Sequence, residues 1–383
     1  MRARALCAGL LLAGAGCATA PLPPPVRANG SRAPYDFSPA ATGEIQIRLD
    51  LRAARSILAL LAKDRFDPAE AKLLENLPAV RFAIRESNRP PETFERDLAA
   101  AFDEQSRIAV FDFRKVRDER RRWEELLATI STHEAELTRR SANRAAALLP
   151  ADHAVSVTVP IALTFGLPGR ADHIRVTSPE QPEAVTIIDL ARALSDEQAS
   201  AAAEQMQHLS RLTASEAYQR AWIAYRESSP AWQKHDPALG QLEPLLRSVA
   251  EAGPVALYSF DENFFPLALW LKDRMKASLD EMNRIADRLV STEGDLDQRV
   301  ALAAEVRRPD FAAHVAGPAG AFLADGIIQT LGVEVYRDAL AAGPRSFFQA
   351  YDRAAQQKGK QLIPLARVIR ERVAPPAAAP HPK

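Results

Sequence analysis

The chain has 383 residues, with 49 Lys+Arg against 49 Asp+Glu, 47% apolar residues, 7% aromatic residues and 26% charged residues. This composition supplies enough apolar material for a large core and excludes a globally disordered chain, a collagen and a polytopic membrane protein. Because the formal charge is zero and both signs are mixed along most of the predicted helices, no nucleic-acid partner is expected.

The first 16 residues have the pattern of a bacterial export signal. Arg2 and Arg4 precede a short apolar run over 6–13, and small residues then lead to Cys17. The run is too short for a stable membrane-spanning helix. The second cysteine, Cys7, lies within the same segment, so the rest of the chain has no disulfide and no thiolate metal ligand.

The end of this segment resembles the lipobox of bacterial lipoproteins, in which the cysteine is acylated and becomes the mature N-terminus. Gly14 departs from the leucine that is usual in that family. The resemblance implies a lipid anchor on Cys17, and Ala18 in place of aspartate implies an outer-membrane location facing the periplasm. The alternative is an ordinary signal peptide cut near Ala18 or Ala20. Both interpretations predict export.

Proline-rich stretches mark the ends of the folded part. Residues 17–35 are expected to form a tether and residues 374–383 a tail, because neither can build a packed element. Between them we predict an N-terminal helical region (36–149), a small sheet with a motif helix (150–228) and a C-terminal helical region (229–373). The charge cluster at 117–125 is interpreted as a solvated helix face with i,i+4 ion pairs, and Asp67-Pro68 as the start of a helix.

The hydrophobic period changes from 3.6 to 2 near the middle of the chain. Residues 153–166 alternate β-branched and other side chains, and two shorter strand patterns follow at 174–177 and 184–190. A long helical pattern covers 196–227. We therefore predict an α+β fold that is predominantly helical, with a sheet of about three strands over about 154–190, followed by a long helix and a C-terminal helical subdomain.

Common catalytic signatures are missing from the sequence. It contains no glycine-rich phosphate loop, no G-x-S-x-G elbow and no dinucleotide fingerprint. One histidine stands out: His208 lies four residues after Glu204 on the long predicted helix, so the two side chains share one face and could hold a metal ion. A solvent-facing Glu/His pair explains the same spacing.

The order of three strands, a long helix and the C-terminal segment GPAGAFLADGIIQTLGVEVYRDALAAGPRSFFQAYDRA resembles the gluzincin, or thermolysin-like, zinc peptidases. The resemblance spans about 36–357 and is carried mostly by apolar spacing. It implies a gluzincin-like fold in which the helix after the strands carries H-E-x-x-H. Two imidazoles hold Zn²⁺, the intervening glutamate is the general base, and a downstream glutamate is the third ligand.

Transferred to this chain, the resemblance sets residues 203–207 against the motif. Glu204 then matches the general base, but Ala203 and Gln207 replace both histidines, and Glu262 is the candidate third ligand. Alanine cannot ligate zinc and a neutral amide is a poor ligand. In an alternative register, Glu204, His208 and Glu262 hold a zinc ion.

We therefore expect an exported envelope lipoprotein with a metallopeptidase-like fold that is catalytically degenerate. It would bind a peptide or envelope protein, or act as a scaffold, and it would attach to the membrane through the lipid on Cys17. No cofactor is favoured. Two alternatives stay open: an active zinc metallopeptidase that uses Glu204, His208 and Glu262, and a purely structural helical lipoprotein.

Overall fold

The computed structural model describes residues 44–103, 110–150, 152, 154–168, 172–178, 181–194, 202–260, 269–292 and 295–375. The predicted export signal, Cys17 and Glu262 lie outside these residues. Within the described part of the chain, none of the helices combines the length and the apolar character that crossing a membrane requires.

Helices make up most of the described chain, as the sequence predicts. Those before the second strand are α1 Arg52–Leu61, α2 Pro68–Leu74, α3 Pro78–Glu86, α4 Glu92–Ala100, α5 Phe113–Asp118, α6 Arg120–Thr132 and α7 Glu134–Ala146. Those after it are α8 Leu190–Ala193, α9 Ala202–Ser228, α10 Pro230–Gln233, α11 Glu243–Phe260, α12 Leu269–Ser291, α13 Leu296–Val306, α14 Pro309–Phe311, α15 Gly317–Leu331, α16 Val333–Ala341, α17 Pro344–Lys358 and α18 Arg367–Val373.

The sheet is mixed and has four strands among the described residues, one more than predicted. They are β1 Ile45–Asp50, β2 Val157–Thr164, β3 His173–Ser178 and β4 Gln181–Asp189, in the order β1-β2-β4-β3. β1 is parallel to β2, β2 is parallel to β4, and β3 is antiparallel to β4. β3 therefore forms one edge of the sheet.

The additional strand, β1, corrects the expectation that the region from 36 to 149 is helical throughout. Its sequence IQIRLD does alternate, but it is only six residues long and stands directly before an apolar helix. It pairs with β2, more than a hundred residues later, with Ile45 opposite Val157. A strand held by so distant a partner has little local signal.

The start of α2 that the sequence predicts at Asp67-Pro68 is confirmed in the structure. The Asp67 side chain accepts hydrogen bonds from the backbone N–H groups of Ala69 and Glu70, at 3.1 and 3.2 Å, and Pro68 is the first residue of α2. This is the N-cap with a following proline that the sequence predicts, and it satisfies backbone donors that the first helical turn leaves free.

The arginine cluster near α6 has a second role besides the predicted surface ion pairs. One i,i+4 pair is present, between Arg120 and Glu124 at 3.2 Å. In addition, Arg117, Arg120 and Arg122 donate hydrogen bonds to backbone carbonyls that follow the ends of α4, α1 and α8, namely those of Ala101, Ala62 and Leu194. Cations suit helix C-termini because the carbonyls there lack partners within the helix. The cluster thus joins several helices.

The C-terminal helices form an apolar core around α15. Nearly every residue of α15 from Gly317 to Ile328 is buried, and the helix packs against α11, α12, α16 and α17. Gly253 of α11 and Gly320 of α15 let the two backbones approach closely: a Cβ on either glycine would lie 2.5 Å from the Cα of the other. This contact requires glycine on both helices.

Candidate functional site

The long helix α9 connects the two parts of the fold. It contacts β2 and β1 of the sheet, α7 of the N-terminal region and α11 of the C-terminal region. The predicted motif helix of 196–227 is confirmed as one continuous helix over Ala202–Ser228, and residues 196–201 lie outside the described part of the chain. Its side chains determine what lies between the sheet and the C-terminal helices.

The site residues predicted from sequence lie at the N-terminal end of α9. The side chains of Glu204 and Gln207 are exposed. The side chain of His208 is half-buried and interacts with another residue. Glu262 lies outside the described residues, so the structure does not test whether it joins Glu204 and His208. In the part of the chain that the structure describes, no three His, Cys, Asp or Glu side chains are grouped so that they could hold a metal ion.

A buried ion pair lies three turns further along α9 and was not predicted. The Glu216 side chain is only 5% exposed. Arg175 of β3 binds it with both arms of the guanidinium: Nε donates to Oε2 and Nη2 donates to Oε1, both at 2.6 Å. The Thr186 hydroxyl of β4 donates to Oε2 at 2.8 Å. Since Arg175 and Thr186 are opposite each other in the β3–β4 register, they face α9 together.

A histidine and a second carboxylate complete this cluster. His173 lies two residues before Arg175 on β3, on the same face of the strand. Its Nε2 is 3.5 Å from Oε1 of Glu216, and its Nδ1 is 2.7 Å from Oδ1 of Asp172. We call Asp172, His173, Arg175 and Glu216 the edge cluster, since all but Glu216 lie on or beside the edge strand.

The charges in the edge cluster shift one another's protonation. Burial by itself raises the pKa of Glu216, but the charges of Arg175 and His173 and the hydrogen bonds from Arg175 and Thr186 outweigh it and lower this pKa to about 2. Burial by itself lowers the pKa of His173, but the hydrogen bond to Asp172 and the charges of Glu216 and Asp172 raise it above its usual value. The cluster is therefore stable with Glu216 ionised.

Glu216, like Glu204, can be set against the glutamate of H-E-x-x-H, and no other residue of the motif then matches. The pentapeptide Ser215-Glu216-Ala217-Tyr218-Gln219 sets serine and glutamine where H-E-x-x-H has its two ligands. Ser215 Oγ lies 3.3 Å from Ser259 Oγ at the end of α11. Gln219 is 4% exposed, and its Oε1 has no hydrogen-bond partner among the described residues.

These residues do not fit a zinc ion held in the manner of H-E-x-x-H. Zinc in proteins is bound by imidazole, thiolate and carboxylate, whereas this face of α9 offers a hydroxyl and a neutral amide. Both oxygens of the Glu216 carboxylate are already bound by a guanidinium. With the hydrogen bond from Thr186, this carboxylate already accepts three hydrogen bonds within the protein, so no hydrolytic step is derived from this arrangement.

A comparison with protein families assigns the chain. Residues 68–360 match the model of a family described as "Putative zinc dependent peptidase (DUF5700)". The chain belongs to this family. No curated protein and no solved structure matches the chain. The family assignment agrees with the predicted resemblance to zinc-dependent peptidases, and the structure confirms a mainly helical fold with a small sheet.

The edge cluster left a weak signal in the sequence. The β3 segment HIRVTS sets His173 and Arg175 on one face of a strand, and Glu216 is a charged residue in the apolar middle part of the predicted long helix. Neither pattern is specific, because charged residues on a short strand usually face solvent. Only the packing of α9 against the sheet brings these residues together.

Proposed function

We propose that the chain is an exported envelope lipoprotein whose peptidase-like domain is catalytically degenerate and binds a peptide or protein partner. The observation that carries this proposal is the state of Glu216. Set against the glutamate of H-E-x-x-H, it has neither histidine beside it, and a guanidinium and a hydroxyl bind its two oxygens.

The chemistry of peptide hydrolysis supports degeneracy. A general base works best when its pKa lies near the operating pH, and a metal must activate the attacking water. Glu216 is buried and has a pKa lowered to about 2, so it has little tendency to take a proton at neutral pH. The flanking Ser215 and Gln219 do not supply ligands for the metal.

The edge of the sheet supports a binding role. β3 pairs with β4 on one side only within the described strands. Asp189 N donates to Asp172 O, so by the alternation of an antiparallel ladder the backbone groups of His173 and Arg175 point away from β4, up to the shift in register that follows Val176. Such an edge can accept an extended peptide as an additional strand.

A capture experiment tests this proposal. The Cys17→Ser chain serves as bait for envelope extracts, with Thr177→Pro as the matched control, because proline on an edge strand hinders the pairing of a further strand. We expect a partner that the unmodified edge captures and the control does not, at equal melting temperatures. Equal recovery by both baits would contradict binding at this edge.

Activity and anchoring are tested separately. We expect the purified chain, supplied with zinc, to hydrolyse an unstructured protein such as casein at the same background rate whether or not a chelator is added. Hydrolysis that the chelator abolishes would contradict degeneracy. In cells, Cys17→Ser should move the protein from the membrane fraction to the soluble fraction; continued attachment would contradict a lipid anchor on Cys17.

A further inference from the structure

The edge cluster shares one feature with metal centres, although its carboxylates and its imidazole are not among any described group that could hold a metal ion. Behind a metal-binding histidine, a carboxylate commonly accepts a hydrogen bond from one ring nitrogen and thereby directs the other nitrogen at the metal. Asp172 contacts Nδ1 of His173 at 2.7 Å in this way, and Nε2 is directed toward the Glu216 carboxylate. The imidazole of His173, which Asp172 orients, and the buried carboxylate of Glu216 are thus directed at the space between β3 and α9.

The cation at that place is the guanidinium of Arg175. It lies on the same face of β3 as His173 and binds both oxygens of Glu216. Its positive charge compensates a carboxylate that is 5% exposed, and it connects the edge strand to α9. An unpaired carboxylate at this depth would be strongly unfavourable.

We infer that the guanidinium of Arg175 is the resident cation of the edge cluster, which means that it occupies the position that a metal ion would have beside His173 and Glu216. It compensates the charge of Glu216 and holds β3 on α9 without zinc, in a member of a zinc-dependent peptidase family. The inference rests on the proposed function, since it requires that zinc is not bound at the residues around Glu216 on α9. The inference adds that the contact of β3 with α9 depends on the guanidinium of Arg175. It also adds that a metal ion could bind at the position of this side chain if a metal-binding side chain replaced the guanidinium.

The test exchanges the organic cation for a metal ligand. Arg175→His adds an imidazole next to His173 and Glu216, which gives a set of two histidines and one carboxylate. We expect this variant to bind one zinc ion per chain, and zinc to raise its melting temperature by roughly 5 °C or more. Arg175→Lys is the matched control: it keeps a positive charge, so zinc should leave its melting temperature unchanged.

Two results would overturn the inference. One is an Arg175→His chain that folds cooperatively but gains no more from zinc than Arg175→Lys does. The other is an Arg175→Ala chain as stable as the wild type, because a truncation without loss of stability shows that no cation is needed.

The same series separates this inference from the proposed function. If the wild-type chain binds zinc and hydrolyses casein in a chelator-sensitive way, the proposed degeneracy fails. If the wild-type chain binds no zinc and Arg175→His also binds none although it folds, the degeneracy stands and the resident-cation inference alone fails.

Discussion

The contact of α11 with α15 and the contact of α9 with β3 hold the molecule together by different means. The first is apolar and depends on Gly253 and Gly320, whose missing side chains let two backbones touch. The second depends on the charges of Arg175 and Glu216, buried at the edge of the sheet. Apolar packing tolerates changes in pH and salt, whereas a buried ion pair fails when either partner is removed.

The largest expected effect is at the apolar contact. Gly320→Leu would set a side chain against the Gly253 backbone, and two packed helices would have to separate. We expect the free energy of unfolding to fall by about 4 kcal/mol, at the upper end of overpacking effects. Urea unfolding measures this, with the exposed Ala304→Leu of α13 as the control. A loss equal to that of the control would contradict the close contact.

Removing one partner of the ion pair should have a slightly smaller effect. Arg175→Ala removes the guanidinium and leaves the buried Glu216 carboxylate with only Thr186 and His173 as partners, which should cost about 3 kcal/mol. The double variant Arg175→Met/Glu216→Leu removes both charges and should recover most of this loss, because apolar residues can replace a buried ion pair. A double variant as unstable as Arg175→Ala would show that the loss comes from packing and not from charge.

Acid should weaken the ion pair and spare the apolar contact. Glu216 has a pKa of about 2 in the folded protein and a usual value of 4.5. Because the folded-state pKa is lowered, its contribution is fully present above about pH 4.5 and is lost as the pH falls towards 2, by about 3 kcal/mol. The stability of Glu216→Gln should fall less over this range. Parallel curves for the two proteins would contradict the assignment.

The smallest expected effect has the opposite sign. Gln219 is buried on α9, and its Oε1 is without a partner among the described residues. Gln219→Leu removes a buried amide whose oxygen makes no compensating hydrogen bond within the described residues, so stability should rise by about 1 kcal/mol. Thermal melts of this variant and of the isosteric Gln219→Glu check the sign. A clear destabilisation by leucine would mean that the amide is bound in solution.

The two regions also differ in how far the sequence reveals them. The C-terminal region, predicted to be helical over 229–373 from its 3.6-residue apolar periodicity, is helical in the described residues. The strands β2, β3 and β4 follow from alternation. β1 was missed because its six residues pair with a strand more than a hundred positions away.

The edge cluster could not be predicted for the same physical reason. Arg175 and Glu216 are 41 positions apart, and each is ordinary in its local sequence. The prediction based on Glu204, His208 and Glu262 used spacing along one helix and a family resemblance, and it stays a prediction because Glu262 lies outside the described residues. What distinguishes Glu216 is burial against a guanidinium, which only the tertiary structure shows.

The most direct test is the zinc content of the wild-type Cys17→Ser chain after it has been saturated with zinc and then dialysed. The account predicts less than about 0.1 equivalents per chain, since α9 offers neither histidine of the H-E-x-x-H pattern around Glu216. One firmly bound equivalent of zinc, retained by the wild type and lost in Glu216→Gln, would contradict it.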